Sequence, residues 1–541
     1  MLRTRSAIAL LAGALLGAVL TVTNLAQATV APLAKPSPTA DHSKFKELQK
    51  QFKSGPEVTK ACLSCHTEAA KQVHRTKHWT WEFINTEKNQ KLGKKNVLNN
   101  FCISIPNNQQ YCTNCHVGYG WKDKNFDFTS EENVDCLVCH DTTLSYVKQP
   151  GMAGHVVGEE MEFPKGSGKI LKPIPLTKIA QSVGKTSRET CGTCHFFGGG
   201  GDGVKHGDMD SSLYAPEKDV DVHMAVDGLN FNCGTCHQTS SHDIPGSRYT
   251  PVGKDKGGMQ VRGKNEGENP ATCVACHDTK PHKAENSKHA VRLNIHAEKI
   301  ACQTCHIPAF ARGGVATKMS WDWSTAGKFD ADGKPIVKKD DHGHTIYETR
   351  KGDFVVAENV KPEYYWFNGD ITYTLLGDKI VKSDKPVGIN MIGGSATDGK
   401  SMIWPFKVSR GKQPYDPENQ TLIAPHTTGP KSGGGYWTNF DWDRAARQGM
   451  ADADAPFSGK VDFVSTEMYW PIAHMVAPKD KSVGCAECHA KDGRLADIKG
   501  IYIPGRDANP LIDKTAWLLV LLTLLGVIGH AAIRIFASKK H

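Results

Sequence analysis

The cysteine and histidine residues of this sequence recur in one short pattern, in which two cysteines three positions apart are followed directly by a histidine. The sequence contains 17 cysteines and 24 histidines. Sixteen of the cysteines fall in eight copies of this pattern, and Cys102 is left over. The eight copies are Cys62, Cys65 and His66; Cys112, Cys115 and His116; Cys136, Cys139 and His140; Cys191, Cys194 and His195; Cys233, Cys236 and His237; Cys273, Cys276 and His277; Cys302, Cys305 and His306; and Cys485, Cys488 and His489.

Each copy of the motif carries the groups that hold an iron porphyrin covalently. Two thiols at this spacing form thioethers with the two vinyl groups of one haem, and the adjacent imidazole binds the iron from one side. A disulfide framework does not require a histidine after every second cysteine. A zinc site requires its four ligands grouped together, not eight separate triads. The motifs therefore predict eight covalently attached c-type haems as cofactors.

The remaining histidines are candidates for the second axial position of each iron. Electron-transfer haems usually take a second protein ligand, whereas catalytic haems leave that position open or weakly held. We favour histidines at repeated distances from a motif, and after them histidines in aromatic, glycine-rich or apolar surroundings; each of these is alternatively a surface or hydrogen-bonded histidine. The candidates are His223, His242, His282 and His296 in the first group, and His74, His78, His155, His206, His426 and His474 in the second. The sequence places His42 and His541 in terminal tails, and His342 and His344 in a solvated turn.

The composition indicates a core that is not built from aliphatic side chains alone. Hydrophobic residues make up 39% of the chain, and it contains 52 glycines and 28 prolines. Eight porphyrins are large apolar bodies that take the place of aliphatic side chains in the interior. We therefore expect a mainly α-helical multihaem cytochrome c fold with extensive coil and a haem-packed core. Small β-hairpin elements are expected in the motif-free segment, where Asn368 and Gly369 form a two-residue turn signature.

Both ends of the chain carry apolar segments. Residues 1–28 combine Arg3 and Arg5, an apolar stretch and a small-residue cleavage site, which is typical of a secretory signal peptide, with an uncleaved signal anchor as the alternative. Residues 515–533 are apolar and long enough to cross a bilayer, and basic residues follow them. We therefore expect an exported protein on the periplasmic side of the inner membrane, anchored by one C-terminal transmembrane helix.

The motifs between these ends set the expected organisation of the chain. The net charge of +9 lies partly in the two ends, and no run of Lys and Arg interleaved with aromatic residues occurs between them. Nucleic-acid binding is therefore not expected. The predicted divisions are a signal peptide at 1–28, a flexible tether at 29–45, a seven-haem region at 46–306, a haem-free segment at 307–484 packing on it, the eighth haem and a linker at 485–511, and the membrane anchor with a basic cytoplasmic tail at 512–541.

Longer stretches around the motifs resemble one known family. Together with the eight-motif layout, these stretches make residues 42–505 similar to the octahaem tetrathionate reductase family. The haem arrangement of that family is similar to that of hydroxylamine oxidoreductases. The C-terminal membrane helix departs from the soluble members of that family and leaves the electron partner open. The stretches are HWTWEF from His78, TSEENVDCLVCHDTT from Thr129, GGGGDGVKHGD from Gly198, ACQTCHIP from Ala301, SWDWSTAGK from Ser320, IWPFKVSRGKQPYD from Ile403 and MYWPIAHMVAP from Met468.

The resemblance implies a catalytic role for the second haem, with a lysine as its distal ligand. Matching the Asp-x-x-Lys pair of the family places this pair at Asp202 and Lys205. An amine must lose its proton before it binds iron, so burial or nearby positive charge has to lower its pKa. The alternative is that Lys205 solvates the glycine-rich loop while His206 binds the iron. Lesser rivals for the ligand are Lys122, Lys124 and Lys185.

The resemblance also places Asn99 and the unpaired Cys102 beside the catalytic haem. A thiolate at Cys102 would attack an inner sulfur of tetrathionate, release thiosulfate and leave a mixed disulfide for reduction. The alternative is that Cys102 is a small buried hydrophobic residue.

The function implied by the resemblance is the two-electron reduction of a sulfur oxyanion, with tetrathionate as the favoured substrate. A nitrite or hydroxylamine reductase is the first alternative, because an accessible haem iron binds nitrogen compounds readily. A multihaem electron conduit without catalysis is the second. The expected electron donor is a quinol-linked membrane cytochrome or a periplasmic cytochrome.

Overall fold

Short helices joined by long coil segments carry the eight motifs. The computed structural model describes residues 39–86, 88–101, 103–249 and 271–538. Each motif overlaps one short helix, since cysteines three positions apart lie on one face of a helical turn. The α-helices of the described residues are Gly55–Leu63, Ala69–His74, Lys77–Thr80, Gln109–Cys112, Leu137–His140, Leu176–Gln181, Arg188–His195, Cys233–Cys236, Val274–His277, Ala290–His296, Cys302–His306, Tyr436–Asn439, Trp442–Asp452, Cys485–Cys488 and Pro510–Ser538.

Strands cluster in the motif-free segment. The strands are β1 (Phe83–Asn85), β2 (Gln90–Leu92), β3 (Met161–Glu162), β4 (Ile170–Leu171), β5 (Thr317–Asp322), β6 (Val337–Lys339), β7 (Thr345–Glu348), β8 (Gly352–Ala357), β9 (Glu363–Phe367), β10 (Ile371–Tyr373), β11 (Val387–Gly388), β12 (Asn390–Ile392), β13 (Met402–Asp416), β14 (Thr421–Leu422) and β15 (Asp462–Pro471).

One sheet of nine strands organises this segment, and it is larger than the small hairpins expected from the sequence. Its order is β11-β15-β13-β5-β8-β7-β6, and β9 and β14 also pair with β13. β13 pairs antiparallel with β15 over ten positions and parallel with β5 over three. The first eight residues of β13 are all buried, which is typical of a strand covered on both faces. β13 is therefore the central strand of the sheet.

The turn at Asn368 and Gly369 forms, but the predicted hairpin around it does not. Gly369 has a φ of 94°, and the Asn368 side chain accepts a hydrogen bond from the Asp370 backbone N–H at 2.9 Å. The two flanking strands then separate, because β9 pairs with β13 and β10 pairs with β12. The local turn signature is correct, but pairing with distant strands decides where each flanking strand lies.

Aromatic side chains fill the centres of the two largest apolar clusters. The cluster around the sheet includes Trp321, Phe406 and Trp470, each at most 2% exposed. The cluster between the first and third motifs includes Trp79 and Leu137, each 1% exposed. Both clusters lie next to motif helices, so they fix the positions of the motifs.

The helix Pro510–Ser538 stands apart from this core. Among the described residues it is the one helix long and apolar enough to cross a membrane, with a mean hydropathy of 2.2 and none of its apolar window buried. This agrees with the predicted membrane anchor. The predicted signal peptide lies outside the described residues. The end of the predicted tether contains a short 3-10 helix, His42–Lys44, which Asp41 caps by accepting a hydrogen bond from the Ser43 N–H at 3.1 Å.

Candidate haem sites

Seven of the eight motif histidines face a second histidine at a nearly constant distance. The ring centroids of the pairs are 5.9–6.4 Å apart. Two metal–imidazole bonds of roughly 2 Å each, added to the half-widths of two rings, amount to about 6 Å. Each gap therefore has the width of one iron between two imidazoles. The pairs are His66 with His42, His140 with His242, His195 with His78, His237 with His474, His277 with His223, His306 with His282, and His489 with His296.

Hydrogen bonds at Nδ1 turn many of these rings so that Nε2 faces the gap. His140 donates from Nδ1 to the Gly184 carbonyl at 2.7 Å. A carbonyl or carboxylate partner at Nδ1 fixes the tautomer and orientation of an imidazole ligand. The same contact is made by His237 to Pro245, His489 to Pro504, His242 to Gln72, His282 to Asn294 and His474 to Asp208, at 2.8–3.1 Å. With two thiols in each motif, the residues at these seven motifs fit a covalent haem with two imidazole ligands.

The structure places six of the ten candidate second ligands opposite a motif histidine. They are His78, His223, His242, His282, His296 and His474. The other four have different neighbours. His74 stacks on Trp79, His155 stacks on Tyr119, His206 meets the edge of Trp470, and His426 forms an ion pair with Asp452.

His42 is the histidine that the sequence analysis missed. It lies 6.4 Å from the ring of His66, although the sequence places it in a terminal tail. It lies 20 residues before Cys62, the same separation as that of His282 before Cys302, but the proline- and alanine-rich stretch before it suggests a linker. The one local signal is Asp41, whose side chain caps the turn that contains His42.

The second motif differs from the other seven. His116 is completely buried, and its Nε2 donates a hydrogen bond to the Trp79 carbonyl at 2.7 Å. Within the described residues its Nδ1 has no hydrogen-bond partner, and no histidine ring faces it as in the seven pairs. Burial is the main cause that lowers the pKa of His116 to about 3, so the ring is neutral. The thiols of Cys112 and Cys115 suit a haem, but the ring must release Trp79 to bind iron through Nε2.

Lys205 lies near the second motif. Its Nζ is 5.2 Å from the centroid of the Trp470 ring. Burial, then Arg248 and Lys94, hold the pKa of Lys205 well below its usual value. A hydrogen bond with Cys194, and then nearby lysines that include Lys205, lower the pKa of Cys115 to about 5. The amine is therefore close to a thiol of the second motif, and its lowered pKa favours the neutral form.

His206 shares these surroundings, so the structure brings both alternative ligands to one place. Its ring centroid is 5.0 Å from that of Trp470. Burial, followed by the charges of Lys205 and Arg248, holds the pKa of His206 well below its usual value. The lesser rivals lie at the surface: Lys122 and Lys185 are exposed, and Lys124 forms an ion pair with Asp454 at 3.0 Å.

Asp202 and Asn99 hold the backbone of their own loops. Asp202 accepts a hydrogen bond from the Ser211 N–H at 2.9 Å and another from the Ser211 hydroxyl. Asn99 accepts one from the Phe101 N–H at 2.9 Å. Phe101 contacts Trp470, with ring centroids 6.0 Å apart. Cys102 lies outside the described residues.

Positive charge converges on this region. The guanidinium of Arg248 lies 4.8 Å from the centroid of the Trp470 ring and donates to the Tyr249 hydroxyl at 2.6 Å. Its Nη1 is buried and has no hydrogen-bond partner in the part of the chain that the structure describes. Lys94 lies over Trp81, with Nζ 4.2 Å from the centroid. Arg248 and Lys94 therefore place positive charge near Lys205, an arrangement suited to an anion.

The comparisons with known proteins agree with this geometry. The chain is 41% identical to an octahaem cytochrome c from Shewanella oneidensis of known crystal structure, with a TM-score of 0.72, over 85% of this chain and 97% of that one. The family model for bacterial cytochrome c matches residues 318–492, and the model for cytochrome c554 and c-prime matches residues 61–141. An uncharacterized protein of Archaeoglobus fulgidus is 26% identical over 263 residues, which are 41% of this chain and 86% of that protein.

Fold and paired histidines together define a multihaem c-type cytochrome. Within that class, the chain belongs to the octahaem cytochrome c family. The resemblance inferred from the sequence, the predicted fold class and the covalent haem cofactors are thereby confirmed.

Proposed function

We propose that this protein is a membrane-anchored periplasmic reductase that delivers two electrons to a sulfur oxyanion, with tetrathionate as the favoured substrate. The observation that carries the proposal is the contrast between the motifs. Seven motif histidines face a second histidine, whereas no histidine of the described residues faces His116 in this way, and the buried amine of Lys205 lies near Cys115. A displaceable amine suits a reactive site, and paired imidazoles suit electron transfer.

Several residues around the second motif have separate roles in substrate binding. When bound, the haems store single electrons and offer one iron with a replaceable outer ligand. Arg248 and Lys94, which lie over the rings of Trp470 and Trp81, contribute positive charge that attracts a dianion to this region. The same two charges favour the neutral form of Lys205, which is the form able to act as a ligand.

Cys102 supplies the sulfur chemistry in this proposal. Its thiolate attacks an inner sulfur of tetrathionate, so that a cysteine–sulfur bond forms, the central S–S bond breaks and one thiosulfate leaves. Two electrons, which the bound haems would supply, would then cleave the bond between Cys102 and the substrate sulfur, release a second thiosulfate and restore the thiolate. The adjacent side chains Phe101 and Ile103 are both buried, which suits a protected nucleophile.

The proposed route of electron entry is the eighth haem. His489 donates from Nδ1 to the Pro504 carbonyl at 3.1 Å, and the membrane-crossing helix begins at Pro510. The eighth motif is therefore the one next to the anchor in the chain. This supports a quinol-linked membrane cytochrome as donor, with a periplasmic cytochrome as the alternative.

The test is steady-state turnover of tetrathionate, nitrite and hydroxylamine with one reduced dye, together with spectra of the oxidised protein. We expect tetrathionate to be the best substrate. Lys205→Leu should convert one haem in eight to the high-spin form and lower turnover at least tenfold, because leucine offers no ligand atom, and Cys102→Ala should abolish tetrathionate turnover with the spectrum unchanged. The exposed Lys185→Leu is the matched control, expected to behave as wild type.

Three outcomes contradict the proposal. Faster turnover of nitrite or hydroxylamine assigns the site to nitrogen chemistry. A spectrum of eight low-spin haems that does not respond to small ligands, with no turnover of any substrate, indicates an electron conduit. Full tetrathionate turnover by Cys102→Ala removes the cysteine step.

A further inference from the structure

A buried lysine on the central strand of the sheet holds the loop that carries Lys205. Lys407 lies in β13 and its side chain is completely buried. Its Nζ donates hydrogen bonds to the carbonyls of Val204 at 2.9 Å and Lys205 at 3.0 Å, and to the Thr317 hydroxyl oxygen at 2.5 Å. These three acceptors match the three N–H donors of an ammonium group.

Thr317 on the neighbouring strand β5 extends the same contact. Its hydroxyl donates to the Gly203 carbonyl at 2.7 Å. Lys407 and Thr317 therefore bind the carbonyls of three successive residues, Gly203, Val204 and Lys205. The loop needs such support, because Gly203 has a φ of 61° and Gly207 has a φ of 79°, and glycine is the residue with the greatest backbone freedom.

A lysine at this position is costly unless it has a specific task. The hydrogen-bond partners of the Lys407 amine in the described part of the chain are carbonyl and hydroxyl oxygens, and an apolar side chain of similar volume would avoid the desolvation of an amine. An apolar side chain would not bind the loop carbonyls. The contacts of Lys407 therefore point to a role in fixing the loop backbone.

The same strand also holds the loop that carries Asn99. The Asn100 side chain donates to the Ser409 carbonyl of β13 at 2.7 Å, and Gln413 of β13 donates to the Asn99 carbonyl at 3.3 Å. Phe101 of this loop has its ring centroid 5.9 Å from the Nζ of Lys407. The strand β13 therefore holds both loops of the candidate site, the loop that carries Asn99 and the loop that carries Lys205.

We propose that Lys407 is a positioning residue, which fixes the backbone of Lys205 so that its amine reaches the second haem site. This inference rests on the proposed role of Lys205. Lys407 acts through the loop carbonyls and touches neither substrate nor iron.

The experiment measures the number of high-spin haems in the oxidised full-length protein by electron paramagnetic resonance and near-infrared magnetic circular dichroism. Lys407→Met keeps the apolar stem and removes the three hydrogen bonds. We expect it to convert one haem in eight to the high-spin form, as Lys205→Leu does, and the double variant to show no further change. Lys318→Met is the control matched in charge, because the Lys318 amine lies over the rings of Phe354 and Trp321. It should retain the wild-type spectrum.

A second variant covers the case in which Lys407→Met does not assemble. Thr317→Val removes one hydroxyl at nearly constant volume. It should raise the hydrogen-exchange rates of the 203–207 amides at least threefold and give a high-spin fraction between those of wild type and Lys205→Leu. A wild-type spectrum and unchanged exchange in an assembled variant overturn the inference. A wild-type spectrum for Lys205→Leu itself overturns the proposed function instead. In that case faster exchange of the loop in Lys407→Met or Thr317→Val still measures whether these residues hold it.

Discussion

Individual imidazole rings show most directly what the sequence predicts and what it does not. The motif histidines could be predicted because their chemistry is tied to adjacent cysteines. Six of the seven histidines that face them were among the candidates, since they lie near a motif or in apolar surroundings. His42 was not, because its place opposite His66 depends on how the chain folds back. Ring orientation could not be predicted either, as it depends on distant carbonyl partners such as Gly184.

Replacement of His42 tests the pairing at the first motif. His42→Ala should convert one haem in eight from the low-spin to the high-spin form, because His66 would be left as the only imidazole ligand at that site. Electron paramagnetic resonance of the oxidised protein measures this fraction. His74→Ala is the control, since His74 stacks on Trp79 and donates to or accepts from no motif histidine. An unchanged spectrum for His42→Ala would refute the pairing.

Asp210 makes the stability of the protein depend on pH. Burial is the main cause that raises the pKa of Asp210 from 3.8 to about 6, and its side chain is completely buried. Since the folded state holds this proton more tightly than the unfolded state, the stabilisation is full below pH 3.8 and is lost as pH rises through 6. The loss amounts to about 3 kcal/mol. Asp210→Asn keeps an acceptor for the Ser212 N–H, so its unfolding midpoint should be higher than that of wild type at pH 7.5 and similar at pH 4.

Equal midpoints of the two proteins at pH 7.5 would contradict this account of Asp210. Ser211→Ala is a suitable comparison, because it removes the hydrogen bond that the Ser211 hydroxyl donates to Asp202 in the same turn. Its midpoint should differ from wild type by the same amount at both pH values.

Among the elements, the short motif helices were predictable and the sheet was not. A helical turn follows from the spacing of two cysteines and is capped locally, as Ser54 caps Gly55–Leu63. The partners of β13 come from several separate parts of the chain, and local alternation carries no information about such pairing. Lys407 and Gln413 reach the candidate site only through this non-local strand, so neither could be recognised from the sequence.

The helix Trp442–Asp452 packs closely on the segment 424–426, which contacts the residues just before the second motif. The Cβ of an alanine at position 449 would collide with the backbone of Ala424 and lie 2.5 Å from the backbone nitrogen of His426. The Asn107 side chain donates to the Pro425 carbonyl of this segment at 2.6 Å. Gly449→Ala should therefore lower the free energy of unfolding by about 1–3 kcal/mol, although the same change in an exposed helix is stabilising.

Denaturant unfolding followed by aromatic fluorescence measures this change. Ala451→Gly, at an exposed position of the same helix, is the control and should cost no more than about 1 kcal/mol. A stabilised Gly449→Ala protein would show that the helix can move away without cost.

For the whole molecule, the sequence predicted an exported multihaem protein with a membrane helix, because each of these properties is local in the chain. A protein that ends after Asp507 tests the role of the helix. It should remain in the soluble fraction, retain eight haems and keep its dye-linked turnover within twofold of wild type. Asp507 is kept because it accepts a hydrogen bond from the Ile503 N–H at 2.7 Å. Sedimentation of the shortened protein with membranes would contradict the anchor.

In the proposed function, the contact of the eighth motif with the chain just before the membrane helix limits how the protein meets a membrane-bound donor. Pro504, which accepts the hydrogen bond from His489, and Pro510, where the membrane helix begins, are six residues apart, and this connection spans at most about 22 Å when fully extended. A donor embedded in the bilayer would therefore find this protein by lateral diffusion in two dimensions, at an effective concentration set by membrane area and not by the volume of the compartment. Overproduction of the protein would crowd the membrane long before it raised the bulk concentration.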